Sequence, residues 1–217
     1  MIDYQAARTA MVDGQVRPSD VTLYPIIEAM LQVPREVYIP AEQRPLAYVG
    51  QHISLDASSV VLAPRILAKM LETLNISGNE LVLDIGVGMG YSAAVIARLA
   101  EAVIAVEENE ALANEAETIL SEQSADNAVI HKGALIAGAA EHGPYDVIII
   151  EGGVQVIPDS LLDQLKVGGR IAALFVDGPQ GQCRIGRKTA AGISWHSAFD
   201  ATAPILPGFA AKTEFSF

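Results

Sequence analysis

Apolar positions along this chain follow two rhythms. Ile66, Leu67, Met70, Leu71 and Leu74 recur at helical spacing, which predicts an amphipathic helix over 64–74 with Pro64 in its first turn. Leu112, Ala116, Ile119 and Leu120 predict another over 110–121. Short, nearly continuous apolar runs read as strands: Leu81–Ile85, Val103–Glu107, a weaker Ala128–His131, Tyr145–Ile150 and Arg170–Val176. Helices are expected at 92–100 and at 158–165, the second stopped by Gly168-Gly169. Ahead of the first strand, helices are predicted over 4–16, ending near Arg17-Pro18, and over 21–30. Pro34, Pro40 and Pro45 then break the chain. Past a loop at Gly178, Pro179 and Gly181, residues 183–199 and 210–217 read as two final strands, with a turn around Pro204 and Pro207-Gly208 between them. Strands alternating with helices predict an α/β fold, a doubly wound and mostly parallel sheet with antiparallel C-terminal strands. Residues 1–75 are expected to form a helical cap on the substrate side, and 76–217 the ligand-binding domain, together one compact unit.

Composition narrows the class. Hydrophobic residues make up 51% of the 217 and charged residues 18%, enough for a sizeable core and too apolar for disorder. A net charge of −12 argues against nucleic acid or anionic membrane as partner. Cys183 is the single cysteine, so no internal disulfide forms, and no Cys/His spacing suggests zinc. No signal peptide opens the sequence and no apolar run approaches the ~18 residues of a membrane span. A cytoplasmic protein without a metal is the expectation. His52, His131 and His142 are scattered and read as surface or satisfied core residues.

Strand 81–85 runs into Gly86, Gly88 and Gly90, the build of a nucleotide cradle. From Gly88 the chain reads G-x-G-x-x-A, a variant of the dinucleotide fingerprint. From Asp84 it reads D-x-G-x-G-x-G, the form seen in S-adenosylmethionine-dependent methyltransferases. A carboxylate there repels a pyrophosphate and suits an aminoacyl group with its ammonium, which favours the second cofactor. Glu107, at the end of the next strand, is placed for ribose hydroxyls in either case.

The chain resembles the protein-L-isoaspartate (D-aspartate) O-methyltransferases. The resemblance rests on Met11–Pro18, Ala29–Pro40 with its V-P-R-E-V-Y-I-P element, Leu46-Ala47-Tyr48, Val82–Val95, Glu141–Asp146 and Leu162–Arg170, and covers roughly residues 7–176. It implies a Rossmann-like class I methyltransferase fold, S-adenosyl-L-methionine as cofactor, and methyl transfer to the free carboxylate of isoaspartyl residues in damaged proteins or peptides. The candidate cofactor set is Asp84, Ile85, Gly86, Gly88, Gly90, Tyr91, Glu107, Glu108, Gly133, Ala134 and Glu151. Ser54 and Ser59 are the catalytic candidates.

The chain departs from the family in three places. Where the family has a T-I-S-x-P-x-x-V segment, Leu55–Ala63 separates Ser54 from Pro64, and aligning on Pro64 puts Leu62 in the serine's place. The family's adenine-contacting aspartate is replaced by Ala134, a loss of about 1 kcal/mol. Glu151 stands where the family has small residues, and reads as a strand-end acid facing solvent or as a ligand-holding group. These departures motivate the alternative of a non-catalytic or re-purposed relative.

Overall fold

The computed structural model describes residues 2–211. Helix α1 (Tyr4–Met11) is capped by Asp3, whose side chain accepts from the Ala6 N–H, and runs on through a π-helical turn (Val12–Val16) and a 3₁₀ turn (Arg17–Ser19). The predicted helix is therefore present but widens after Met11. Helix α2 (Tyr24–Gln32) starts later than the apolar pattern suggests, because Pro25 fits only a first turn. A small antiparallel pair follows, β1 (Ile53–Ser54) and β2 (Val60–Val61), and then α3 (Pro64–Leu74) as predicted.

The sheet region holds β3 (Leu81–Ile85), α4 (Tyr91–Ile96), β4 (Ala102–Glu107), α5 (Glu110–Glu122), β5 (Ala128–Lys132), β6 (Tyr145–Val154), α6 (Asp159–Leu162), β7 (Leu165–Asp177), β8 (Gln180–Thr189) and β9 (Gly192–Asp200). Helix α4 stops short of 100, tightening into turns at Arg98 and Leu99. The helix expected over 158–165 is a single turn. The Gln164 carbonyl accepts from the Tyr145 N–H, so the chain has already joined the sheet there, and Gly168-Gly169 lie inside β7 rather than after a helix. Residues 183–199 are not one strand. They fold back at Ala190-Ala191 into a hairpin closed by the Thr189–Gly192 pair, with Gly192 at φ 123°, and Gly181 belongs to β8. Ala210 and Ala211 are not in a strand, and 212–217 lie outside the described residues.

Strand order is β5-β4-β3-β6-β7-β8-β9, parallel through β7 and antiparallel for the last two. The winding reverses between β3 and β6, and in open α/β sheets ligands bind at the carboxyl ends of strands at such a point. Alternation sorts the two faces. Val82, Val103, Ala105, Val147 and Ile149 pack with Met11, Met30, Leu67 and Leu71. Leu83, Ile85, Ile104, Val106, Ile148 and Ile150 pack with Leu161, Leu206 and Phe209. By the same period, Asp84 and Glu107 lie on the face covered by the N-terminal helices.

Candidate functional site

Beyond β3 the backbone needs a left-handed conformation at three alternate positions: φ is 80° at Gly86, 55° at Gly88 and 91° at Gly90. The resulting turn is fastened to β4. Gly86 N–H donates to the Val106 carbonyl at 2.9 Å, and Gly88 N–H to Glu107 Oε2 at 2.8 Å. The other Glu107 oxygen accepts from Asn109 N–H at 2.9 Å, and Asn109 caps α5. Burial raises the Glu107 carboxyl above its ordinary range while these N–H groups pull it back.

A cavity of about 260 Å³ lies on this turn. Gly86, Glu107 and Glu108 line one side, and Asp56, Ser58 and Ser59 face them. Asp56 Oδ1 accepts from the N–H groups of Ser58 and Ser59, both at 2.8 Å, a local turn that directs Ser59 inward. Ser59 is 7% exposed and its hydroxyl has no hydrogen-bond partner. Ser54 is exposed on β1, outside the cavity lining, and its hydroxyl donates to the Asp56 carbonyl at 2.7 Å. Of the two catalytic candidates, then, only Ser59 reaches the cavity. Leu62 is buried and serves through its carbonyl, which accepts from Arg35 Nη2 at 2.7 Å.

Two leucines close the cradle. A Cβ at Gly88 would overlap the Leu55 side chain, and one at Gly86 would lie 3.1 Å from Leu206 Cδ1. Leu206 belongs to a segment that returns under the strand ends. Gly153 N–H donates to the Pro204 carbonyl at 2.7 Å and Leu206 N–H to the Gly153 carbonyl at 2.9 Å. His52 ties the roof to that segment. Its Nδ1 accepts from Ala63 N–H at 3.1 Å, so its Nε2 carries the proton and donates to the Thr202 carbonyl at 2.9 Å. Burial lowers the His52 pKa, in keeping with a neutral ring.

Behind the cradle sits a buried acid pair. Asp84 is fully buried and neither of its oxygens has a partner. Glu151 is 3% exposed, with Oε1 unpartnered, so it does not face solvent as a strand-end acid would. Desolvation pushes Asp84 up to about 7, and burial together with the charge of Asp84 pushes Glu151 well above its usual range. Arg35 partly offsets this at Glu151. The Arg35 guanidinium is itself fully buried, donates from Nε to the Ala47 carbonyl at 2.8 Å, lies 4.7 Å from the centroid of the Tyr91 ring, and leaves Nη1 unpartnered. The sequence reading misses Arg35 as a site residue, although it sits in the quoted V-P-R-E element.

The remaining candidates divide. Glu108 Oε2 accepts from Leu135 N–H at 3.4 Å, and both residues line the cavity; Gly133, whose N–H donates to the Glu107 carbonyl at 3.2 Å, and the exposed Ala134 lie next to Leu135 in the chain but outside the lining. Ile85 points into the opposite core, and Tyr91 packs against Arg35 and Tyr38. Cys183 is buried, its thiol pushed up to about 12. A larger open groove of about 690 Å³ runs along the base of the β8–β9 hairpin, but no unpartnered buried side chain lines it.

Comparison with known proteins gives one direction. The sequence profile of the family described as Protein-L-isoaspartate(D-aspartate) O-methyltransferase (PCMT) matches residues 8–194. The chain is 37% identical over 164 residues to protein-L-isoaspartate O-methyltransferase 2 of Pelobacter propionicus, covering 76% of this chain and 73% of that one. It is 33% identical over 181 residues to protein-L-isoaspartate O-methyltransferase of Roseiflexus castenholzii, covering 83% and 82%. Among solved structures, a protein-L-isoaspartate O-methyltransferase superposes with a TM-score of 0.81 at 23% identity, over 93% of this chain and 66% of that one. A Plasmodium falciparum protein described as beta-aspartate methyltransferase (PCMT), in complex with S-adenosyl-L-homocysteine, superposes with a TM-score of 0.78 at 20% identity, over 95% and 99%. At these identities the two structures establish the fold. Among the described residues, no helix is long and apolar enough to cross a membrane.

Proposed function

Because the chain belongs to the protein-L-isoaspartate (D-aspartate) O-methyltransferase family, we propose that it moves a methyl group from S-adenosyl-L-methionine to the free carboxylate of isoaspartyl residues in damaged proteins or peptides. The orphaned acid pair Asp84–Glu151 is the observation that carries the cofactor assignment. Two unpaired buried carboxyls beside a glycine turn fit a ligand that brings an ammonium, and would repel the pyrophosphate of a dinucleotide.

The cofactor supplies, when bound, a sulfonium-activated methyl group. Asp84 and Glu151 hold the amino-acid end. Glu107, its orientation fixed by Gly88 and Asn109, takes the ribose hydroxyls. Glu108 borders the adenine side, with Gly133 and Ala134 beyond it, and Ala134 offers no side-chain acceptor there. The Ser59 hydroxyl orients the acceptor carboxylate, which meets the objection that Leu62 raises. No residue has to act as a base, because a carboxylate with an ordinary pKa near ~3.9 is ionised at neutral pH. What the protein contributes is alignment and exclusion of water.

The cavity is small for this role: about 260 Å³, against ~300–1,000 Å³ for ordinary ligand pockets. Leu55, whose side chain lies over Gly88, is the residue that would have to shift to make room for the cofactor. Residues 1–75 act as the cap on the substrate side, supplying Ser59 and Arg35, while the cradle comes from 76–217. The net charge of −12 and the buried lone thiol suit the cytoplasm and a protein or peptide substrate.

Labelled S-adenosylmethionine with an isoaspartyl peptide, and the matching aspartyl peptide as control, tests the assignment. Transfer to the isoaspartyl peptide alone is expected. Transfer to neither peptide, with cofactor bound, would point to a different acceptor.

A further inference from the structure

His131 and His142, separate in sequence, meet in the fold beside Glu141. Two imidazole nitrogens and a carboxylate oxygen lie within 4.8 Å of one another. His131 Nδ1 is 3.6 Å from Glu141 Oε1, and the two histidine rings meet edge to face, their centroids 5.7 Å apart. We propose that His131, Glu141 and His142 form a surface site for a divalent transition-metal ion of the zinc type.

The donor set fits that class of ion. Imidazole with a single carboxylate favours zinc, nickel or copper over calcium and magnesium, which take oxygen ligands. A tetrahedral zinc with bonds near ~2.0–2.1 Å spaces its ligand atoms ~3.3–3.4 Å apart. The His131–Glu141 pair stands close to that spacing already. The widest separation in the trio exceeds it by at most ~1.5 Å, a closure open to the exposed side chains of Glu141 and His142. That exposure also leaves the fourth position to water.

The backbone beneath two of the ligands is well anchored. The 3₁₀ turn Ala140–His142 follows Ala139, which is 1% exposed. The Ala139 carbonyl accepts from the Tyr145 hydroxyl at 2.6 Å, and its N–H donates to Gln164 Oε1 at 3.1 Å. His131 stands on β5. A metal here would clamp both ends of the 131–142 segment, which carries Ala134 and Leu135 past the cavity. The site stands apart from the methyl-transfer assignment and is tested without it.

The test is titration of tag-free protein with zinc by calorimetry, with cobalt as a spectroscopic substitute. One zinc per chain is expected, with Kd at or below about 10 μM, together with the visible bands of tetrahedral cobalt and a thermal midpoint that rises with zinc. His142→Ala and His131→Ala should each weaken binding by about tenfold or more, and His196→Ala, a change on the distant β9, should leave it unaltered. Circular dichroism checks that the variants fold, and His142→Ala at an exposed position is the variant that decides. Absence of binding below about 1 mM, or binding that survives His142→Ala unchanged, would overturn the proposal.

Discussion

The backbone N–H of Gly88 donates to Oε2 of Glu107 across 2.8 Å, so the middle glycine of the cradle and the acid that closes β4 hold each other in place. Glu107→Gln keeps the size but offers one acceptor oxygen where two N–H groups require two. Calorimetry with S-adenosylhomocysteine should show affinity reduced by about tenfold, and the thermal midpoint should fall, since a buried N–H left unpaired costs ~1–3 kcal/mol.

Cofactor affinity should depend on pH through the acid pair. Asp84 is held up at about 7, and burial with the charge of Asp84 beside it raises Glu151 well above its usual range. A folded pKa above the unfolded one gives stability that is complete below pH ~4 and is lost as pH rises through about 7. A cation placed at the pair favours the ionised form, so binding releases protons and tightens from pH ~5.5 to ~7.5. Calorimetry in buffers of different ionisation enthalpy reads the released protons directly. Asp84→Asn should weaken binding and reduce the release, yet raise the thermal midpoint of the free protein at pH ~8 by a few degrees. An affinity independent of pH in the unaltered protein would contradict the pairing.

The two serines should separate cleanly. Ser59→Ala removes a hydroxyl that faces the cavity without a partner, and kcat for methyl transfer should drop by about tenfold or more, the equivalent of ~1.4 kcal/mol. Ser54→Ala removes only a bond to the Asp56 carbonyl on the outer face, and steady-state kinetics should change by less than about twofold. Equal effects of the two would place the acceptor elsewhere.

Gly88→Ala is expected to do more than block the cofactor. The residue sits at φ 55° and a Cβ would meet Leu55, so binding of S-adenosylhomocysteine should vanish and stability should fall by about 1–2 kcal/mol. In the double variant with Leu55→Ala the overlap is relieved while the strain at φ remains. The two stability changes should therefore not add, as measured by denaturant unfolding.

Much of the binding half of the fold could be read from local pattern. The run 81–85, the alternate glycines and Glu107 announce themselves within a few residues, and the sheet places them as expected. What escaped depends on contacts between distant segments. Nothing near Glu151 tells that β6 carries it inward beside Asp84, or that Arg35 arrives from the other end of the chain to meet it. The turn that ends β8 is hidden in the sequence because Ala190-Ala191 lacks the Asn-Gly or Asp-Gly signal of a tight turn. The helix expected over 158–165 is shorter than its apolar pattern because Gln164 leaves the helical path to pair with Tyr145. Ser59 could not be told from Ser54 until the Asp56 turn had shown which of them points in.

The segment that carries Leu206 has a bearing on how the protein comes into being. His52 reaches Thr202 across 150 residues of sequence, and Leu206 and Phe209 fill the core beneath β6. During translation the N-terminal helices, the cradle and the parallel strands all leave the ribosome before these partners exist. In a nascent chain short of residue 202 the glycine turn would have no floor under it, and its apolar strand ends would stay open to water and to chaperones. Closure of the pocket is thus a late event of long-range contact, and cofactor capture belongs to the finished polypeptide rather than to the growing one.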